Sequence, residues 1–576
     1  MKATVFTFST LFSAAFAVPA ASKSQLAPRA ACSGNSATDR SVWCDYDTST
    51  NYYEEVPDTG VTREYYFELT NTTLAPDGVS RNVLTVNGSI PGPTIEADWG
   101  DTVVVHVTNS LSTNGTSIHF HGIRQNYTNP ADGVNSITQC PVAPGAAMTY
   151  TWRATQYGSS WYHSHYSLQA WEGVYGGIVI HGPATANYDV DLGSLFLSDW
   201  DHETADALYT TAETSGPPTL DTGLINGTNV WENTTGTRFS TTFTSGTSYL
   251  FRLVNPSIDS HFDFSIDNHT LQVIAMDFVP IVPYETTVLA IGMGQRYDII
   301  VTANESAVAS DFWMRAIPDS FCSNNENPDN ILGIVHYGSS TGTPTTTAWD
   351  QSIRVGACED EPAASLVPYL SLDAGSSSYS PDLPVTVALD DDLTDLTVLK
   401  WYIGSETMQV DYDDPTVLQV INGNTTFASS SNVYELNTAN EWVYTIIETV
   451  DAVPHPIHLH GHDFYQLASG SGTYASADPT LNTANPPRRD VAMLPASGYV
   501  VLAWQADNPG AWLMHCHIGW HISMGLDLQW VERRTEIASL YSNGNTTSGT
   551  TGLSDVCSTW DTWQTSDGLV EYDSGV

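Results

Sequence analysis

In "HCHIGWHISMGL", residues His515 to Leu526, three histidines crowd a single thiol. Imidazole nitrogen and thiolate sulfur are donors that suit copper, zinc and iron, so the segment reads first as metal chemistry. In extended backbone, residues i and i+2 share a face, and a His-x-His pair therefore presents two rings side by side. Four such pairs stand in metal-like contexts: His119/His121 in "HFHG", His163/His165 in "WYHSH", His458/His460 in "HPIHLH" and His515/His517 in "HCH". Random placement of the 17 histidines would give roughly 0.5 pairs, so four is a signal. A fifth, overlapping pair, His460/His462, marks the limit of the count, and His462 reads as a supporting or loop residue.

Setting those eight histidines aside leaves His455, Cys516 and His521. One thiolate with two imidazoles is the trigonal donor set of a blue-copper electron-transfer centre. Zinc is the competitor, but structural zinc favours several thiolates at short spacing, and a lone cysteine among histidine pairs matches poorly. Iron-sulfur and haem attachment lack their cysteine spacings. Along a strand through "HCH", Cys516 points to one face and His515 and His517 to the other. A metal held by the sulfur is thus joined through adjacent residues to a histidine-held site on the order of 10 Å away.

The elements that must hold these residues are strands. Alternating runs such as "DTVVVHVTNS" and "EWVYTIIETV", broken by Gly, Pro and Asn every ten or so residues, predict an all-β chain of sandwiches or barrels. A loose repeat supports three copies of one β-domain. "VNG" or "ING" near Asn87, Asn226 and Asn422 precedes a strand, and after those strands come "SIHFHGI", "SHFDFSI" and "HPIHLHGHDF". The expected divisions are 1–29 leader, 30–182, 183–343 and 344–576. The middle copy carries only His261 where the outer two carry pairs, and so reads as a spacer and cleft wall.

Composition narrows the setting. "MKATVFTFSTLFSAAFAVPA" reads as a secretory signal peptide, followed by a short pro-segment ending at Arg29. No later apolar run has the length of a membrane span, so a soluble, secreted, extracellular protein is expected. The net charge of -46 repels nucleic acid and anionic membranes, which excludes both as partners and suits neutral or cationic small molecules. Ten Asn-x-Ser/Thr sequons, at Asn71, Asn87, Asn114, Asn126, Asn226, Asn233, Asn268, Asn304, Asn424 and Asn545, point to a glycoprotein. Seven cysteines imply three disulfides and one thiol left over, and Cys516 is the odd one because its neighbours are metal donors.

With "HFHG", "WYHSH", "HPIHLHGH" and "HCHIGWHISMGL" in this order, the chain resembles the multicopper oxidases, and within them the fungal laccases of ascomycete type. The resemblance covers essentially the whole mature chain. It implies three cupredoxin-like Greek-key domains and four copper ions. His455, Cys516 and His521 would hold the type 1 copper, His119 and His458 the type 2 copper, and His121, His163, His165, His460, His515 and His517 the type 3 pair. Leu526 stands where related oxidases carry an axial methionine, so it would be an axial non-ligand, with Met524 a tempting but false one. "DTGLINGT" resembles the segment whose acid accepts the phenol proton, which gives Asp221 that role, while Asp132 in "PADGVNS" would feed protons to the oxygen site. Each has a plainer reading as a turn aspartate. The terminus Asp573-Ser574-Gly575-Val576 resembles a tail that plugs a channel to the cluster. The family pattern also implies disulfides Cys32–Cys44, Cys140–Cys557 and Cys322–Cys358.

The resemblance implies a laccase: a phenol or aromatic amine, such as those of lignin, gives one electron at a time through an exposed His521, and dioxygen is reduced to water between the outer domains. A monomer is expected. The rivals are an oxidase of ascorbate or Fe(II), against which Leu526 and the Asp221 segment weigh, and a copper-binding protein without catalysis. Trp152 and Trp161 read as core residues.

Overall fold

The computed structural model describes residues 32–232, 234–349, 357–391, 396–541, 552–567 and 575. The leader through Arg29, the sequons at Asn233 and Asn545, and Asp573, Ser574 and Val576 of the tail lie outside the described residues. Among the described residues, no helix is long and apolar enough to cross a membrane.

The fold is all-β, with three cupredoxin-like sandwiches. Alternation in the sequence becomes alternation in burial. Strand Thr102–Asn109 turns Val103, Val105 and Val107 inward with no exposure, each burial contributing about 1.5–3 kcal/mol. In the third copy a six-stranded sheet, including Trp442–Thr449 and Gly498–Gln505, faces a five-stranded one ordered Val433–Leu436, Asp527–Glu532, Gly510–Cys516, His455–Leu459, Val491–Leu494. The middle copy repeats this order with Ser240–Phe243, Leu332–Tyr337, Asp311–Pro318, Phe262–Ile266 and Leu289–Ile291. The first copy keeps four members, Gly92–Asp98, Tyr175–His181, Gly158–His163 and His119–Phe120. Strands in corresponding positions therefore carry the histidine pairs of both outer copies.

Strand Gly510–Cys516 is buried along its whole length, because each face meets a different copy. Trp512, Met514 and Cys516 enter the core of the third copy. Ala511 and Leu513 pack against Val134 and Ile137 of the first. The two-residue period then sends His515 to the first copy and Cys516 away from it.

Disulfides join Cys32–Cys44, Cys140–Cys557 and Cys322–Cys358, and Cys516 is free and buried. The segment after residue 356, which the sequence assigns to the third copy, is tied to the middle one. Cys358 bonds Cys322, Glu361 accepts from Ala290 N at 3.0 Å, and Val282 N donates to Val367 O at 2.8 Å. The first strand of the third copy's large sheets begins at Asp382.

Candidate metal centres

Two donor clusters form around Gly510–Cys516, one on each face. On the core face, His455 Nδ1 and His521 Nδ1 stand 3.7 and 3.6 Å from Cys516 Sγ and 3.2 Å from each other. The ladder places Ile457 opposite Cys516, which brings the start of that strand, His455, alongside the sulfur. His521 comes from the short helix Gly519–Ser523. Leu526, fully buried, closes the loop back onto the site: Cys516 N donates to Leu526 O at 3.0 Å, and Leu526 N to His521 O at 3.1 Å. Met524 is engaged through its backbone, its carbonyl accepting from Trp401 N at 2.9 Å. The Trp401 ring lies 4.4 Å from that of His521.

On the opposite face, eight imidazoles from the two outer copies meet. The register places His458 opposite His515 in the third copy and His119 opposite His163 in the first. Ring nitrogens converge in two triples, His121 with His163 and His517, and His165 with His460 and His515. His121 Nδ1 approaches His163 Nε2 at 3.4 Å, and His460 Nε2 approaches His515 Nε2 at 3.3 Å. His119 and His458 lie between these triples, each with Nε2 buried and without a hydrogen-bond partner.

Two aspartates hold this cluster in a near-symmetric way. The Asp132 carbonyl lies 2.8 Å from His119 Nδ1, and its carboxylate 2.9 Å from His460 Nδ1. The Asp490 carbonyl lies 2.7 Å from His458 Nδ1, and its carboxylate 3.1 Å from His121 Nε2. A carboxylate or carbonyl accepts the ring proton and leaves the other nitrogen's lone pair for a metal. Asp132 sits in right-handed helical backbone at φ -66°, so it is not the paired positive-φ turn that its Asp-Gly sequence suggests. The sequence alone did not single out Asp490, although "RRDV" places an acid among unusual buried arginines.

Burial pushes His121, His163, His165, His458, His460, His515 and His521 well below the ordinary histidine range, and His455 and His517 to about 3. The rings are therefore neutral and carry free lone pairs. The same burial raises the Cys516 thiol, so a cation must displace its proton for the sulfur to bind. Converging lone pairs with no cation repel, and both ring nitrogens of His165 and His517 lack any hydrogen-bond partner. Soft, bare N and S donors at these spacings fit copper.

A cleft opens at Trp520, the residue before His521. Trp520, Trp171, Ile258, Leu208 and Leu220 supply apolar walls, and Asp201 and Glu203 stand among its polar groups. His521 itself is only 3% exposed, not the exposed ring expected from sequence. Asp221 stands next to the lining residue Leu220, and its carboxylate pairs with His202 Nδ1 at 2.6 Å. The sequence reading missed Asp259, 4% exposed, which follows the cleft residue Ile258, whose carbonyl accepts from Gly519 N at 2.8 Å. Burial, then the nearby Asp199, pushes the Asp259 carboxyl up to about 8. The only sequence cue was "SIDSHF" in the copy without histidine pairs.

The remaining expected sites are distributed as follows. Gly575, the described residue of the tail, is buried, and Tyr412 Oη donates to its carbonyl at 2.5 Å. Ser167, two residues after His165, lies within contact range of Gly575. Trp152 and Trp161 are both core residues, and Trp161 also stacks on His163 with centroids 4.2 Å apart, at the edge of the cluster. His462 pairs with Glu532 at 2.9 Å, outside the cluster.

Three family profiles, each described as multicopper oxidase, match residues 68–185, 192–340 and 403–536. The chain is 46% identical to Laccase-2 of Botryotinia fuckeliana over 597 aligned residues, covering 100% of this chain and 99% of the relative. Laccase-1 of the same fungus is 48% identical, with 98% and 97% covered. Among solved structures, the laccase from Botrytis aclada superposes with a TM-score of 0.89 at 45% identity, over 94% of this chain and 100% of that one.

Proposed function

The chain belongs to the multicopper oxidases, as a laccase of ascomycete type, and from that premise we propose which of its residues perform each part of the reaction. His455, Cys516 and His521 hold the type 1 copper, His119 and His458 the type 2 copper, and the two histidine triples the type 3 pair. Four coppers supply four one-electron acceptors, which match the electrons that take dioxygen to two waters. The observation that carries this reading is the split of one strand. Cys516 faces one donor cluster while its covalent neighbours His515 and His517 face the other.

The cleft binds the aromatic ring of a phenol or aromatic amine against Trp520, Ile258 and Leu220, and His521, next in the chain to Trp520, is the copper ligand that would face this donor. A phenol that loses an electron becomes strongly acidic, so a fixed carboxylate accelerates the step by taking its proton. Asp221, beside Leu220, is one acceptor. Asp259, next to the cleft residue Ile258, is the second, in the fraction of molecules whose buried carboxyl is deprotonated; the carboxylate of Asp221 already pairs with His202. Asp132 positions His119 and His460 and feeds protons to the oxygen site. The Gly575 end of the chain plugs the approach beside Ser167. Secretion, glycosylation at exposed sequons and a monomeric state complete the reading.

Oxygen uptake with a phenol, ascorbate and Fe(II) in turn, beside an absorption spectrum, tests the whole. A laccase consumes oxygen with the phenol and shows both an intense blue band and the near-ultraviolet band of a coupled copper pair. Preference for Fe(II) or ascorbate would overturn the donor assignment. For the proton acceptor, Asp259→Asn and Asp221→Asn are compared on a phenol and on a one-electron donor that releases no proton. Loss of a general base slows the phenol by roughly 10²-fold or more and spares the other donor. The variant that shows this split identifies the acceptor, and equal losses on both donors remove that residue from the role.

Leu526, buried and tied through its backbone to Cys516 and His521, offers no donor atom, so a copper held by His455, Cys516 and His521 would gain no further ligand from it, which would disfavour Cu(II) relative to Cu(I) and raise the potential. Leu526→Met is expected to lower it in a redox titration, by about 59 mV for each tenfold gain in relative Cu(II) affinity. An unchanged potential would show that the side chain at position 526 does not face this donor set.

A further inference from the structure

The middle copy supplies no ligand, and from sequence it is a spacer. We propose that its turn Gly292-Met293-Gly294-Gln295-Arg296 is instead a third wall of the histidine cluster, which positions His517 and His121 for copper; this rests on the copper reading above. The turn joins strands Leu289–Ile291 and Arg296–Thr302 and reaches the cluster at two points.

The first point is Gly294. Its φ is +81°, and a Cβ there would lie 2.8 and 3.0 Å from Cδ2 and Cγ of His517. Only glycine takes this backbone conformation readily and lets the chain come so close. His517 has no hydrogen-bond partner on either ring nitrogen. Its ring packs against Gly294 and among neighbouring rings, with His121 at 5.1 Å and Trp161 at 5.5 Å.

The second point is Arg296. Its Nη1 and Nη2 each donate at 2.5 Å to the two carboxylate oxygens of Asp490, and Nη1 also donates to Gly294 O at 3.1 Å. A planar fork of this kind fixes the plane of the carboxylate as well as its charge. Asp490 Oδ1 is the atom that holds His121 Nε2, which leaves Nδ1 facing His163. Behind the fork, Asp277 accepts from Arg296 N at 2.8 Å and from Arg489 Nε at 2.9 Å, and Arg489 in turn pairs with Asp360 at 3.1 Å. Gly122 of the first copy approaches the same contact, with φ +74° and its Cβ position 2.4 Å from Asp490 Oδ2. All three copies therefore close on one carboxylate.

An ion pair that served only to join domains would not change how copper is held. Arg296→Lys keeps the charge and loses the two-point fork, while Gly294→Ala leaves the ion pairs and presses a methyl group on His517. Copper(II) content, the ratio of near-ultraviolet to blue absorption, and the chelator concentration that strips half the copper are measured for both. Each variant should keep the blue band of the third copy, which reports a folded chain, and lose near-ultraviolet absorption. Copper should leave the histidine cluster at about 10–100-fold lower chelator concentration than in the unaltered protein. Unaltered ratios and chelator midpoints in both variants would overturn the inference. If Arg296→Lys does not fold, Gly294→Ala decides alone. Absence of the near-ultraviolet band from the unaltered protein would defeat the copper reading itself.

Discussion

Cys516→Ser should fold, keep copper in its histidine cluster and lose both its blue colour and its oxidation of phenols. The sulfur is the one thiolate available to the core-face site, between His455 and His521, and a hydroxyl does not replace it as a soft donor. Loss of an outer partner of a metal ligand typically costs 10–100-fold, so removal of a ligand should lower turnover by more than about 100-fold. The near-ultraviolet band of the other face should survive, because His515 and His517 keep their backbone positions and the side-chain change is nearly isosteric. The spectrum and the copper content decide the matter together. A variant that stays blue would mean that the sulfur is not the ligand, and the strand would lose its role as the link between the two sites.

The second large effect belongs to Asp132. Its carboxylate is fully buried, 2.9 Å from His460 Nδ1, and its carbonyl lies 2.8 Å from His119 Nδ1. Burial raises its pKa against the pull of His119, which suits a group that holds a proton and then delivers it. Asp132→Asn keeps an oxygen for the His460 ring proton but carries no proton of its own. Copper should therefore remain, while reoxidation of the reduced protein by dioxygen slows by roughly 10²–10⁴-fold, the usual contribution of a positioned general acid. Reduction by a phenol, proposed above to enter on the Cys516 face of the strand, should be unaffected. Rapid mixing of the anaerobically reduced protein with oxygen separates these halves. Reoxidation at the unaltered rate would leave Asp132 with orientation as its only task.

Both predictions use residues that stand out in the sequence, and the reason is local. A strand alternates faces every residue, so "HCH" by itself sends sulfur one way and imidazole the other. The repeat was legible for a similar reason, since each copy needs the same alternation to bury one face of each sheet. Asp490, Arg296, Gly294 and Asp259 were not legible. Asp490, Arg296 and Gly294 sit at no telling interval from a histidine, and Asp259, two residues before His261, lies with Arg296 and Gly294 in the copy that has no ligand pairs.

What the sequence determined by itself is the donor chemistry: eight paired imidazoles, one unpaired thiol with two more rings, and strands to carry them. These follow from residue type and from spacings of two to five, which the backbone turns into geometry without distant help. Tertiary structure decided which rings share a centre, which carboxylate holds each ring proton, and that the middle copy touches the cluster. Those contacts join residues as far apart as His121 and Asp490, or Arg296 and Asp490. Their meeting depends on how three sandwiches pack, and packing is set by the summed burial of whole sheet faces, which no short stretch of the chain encodes.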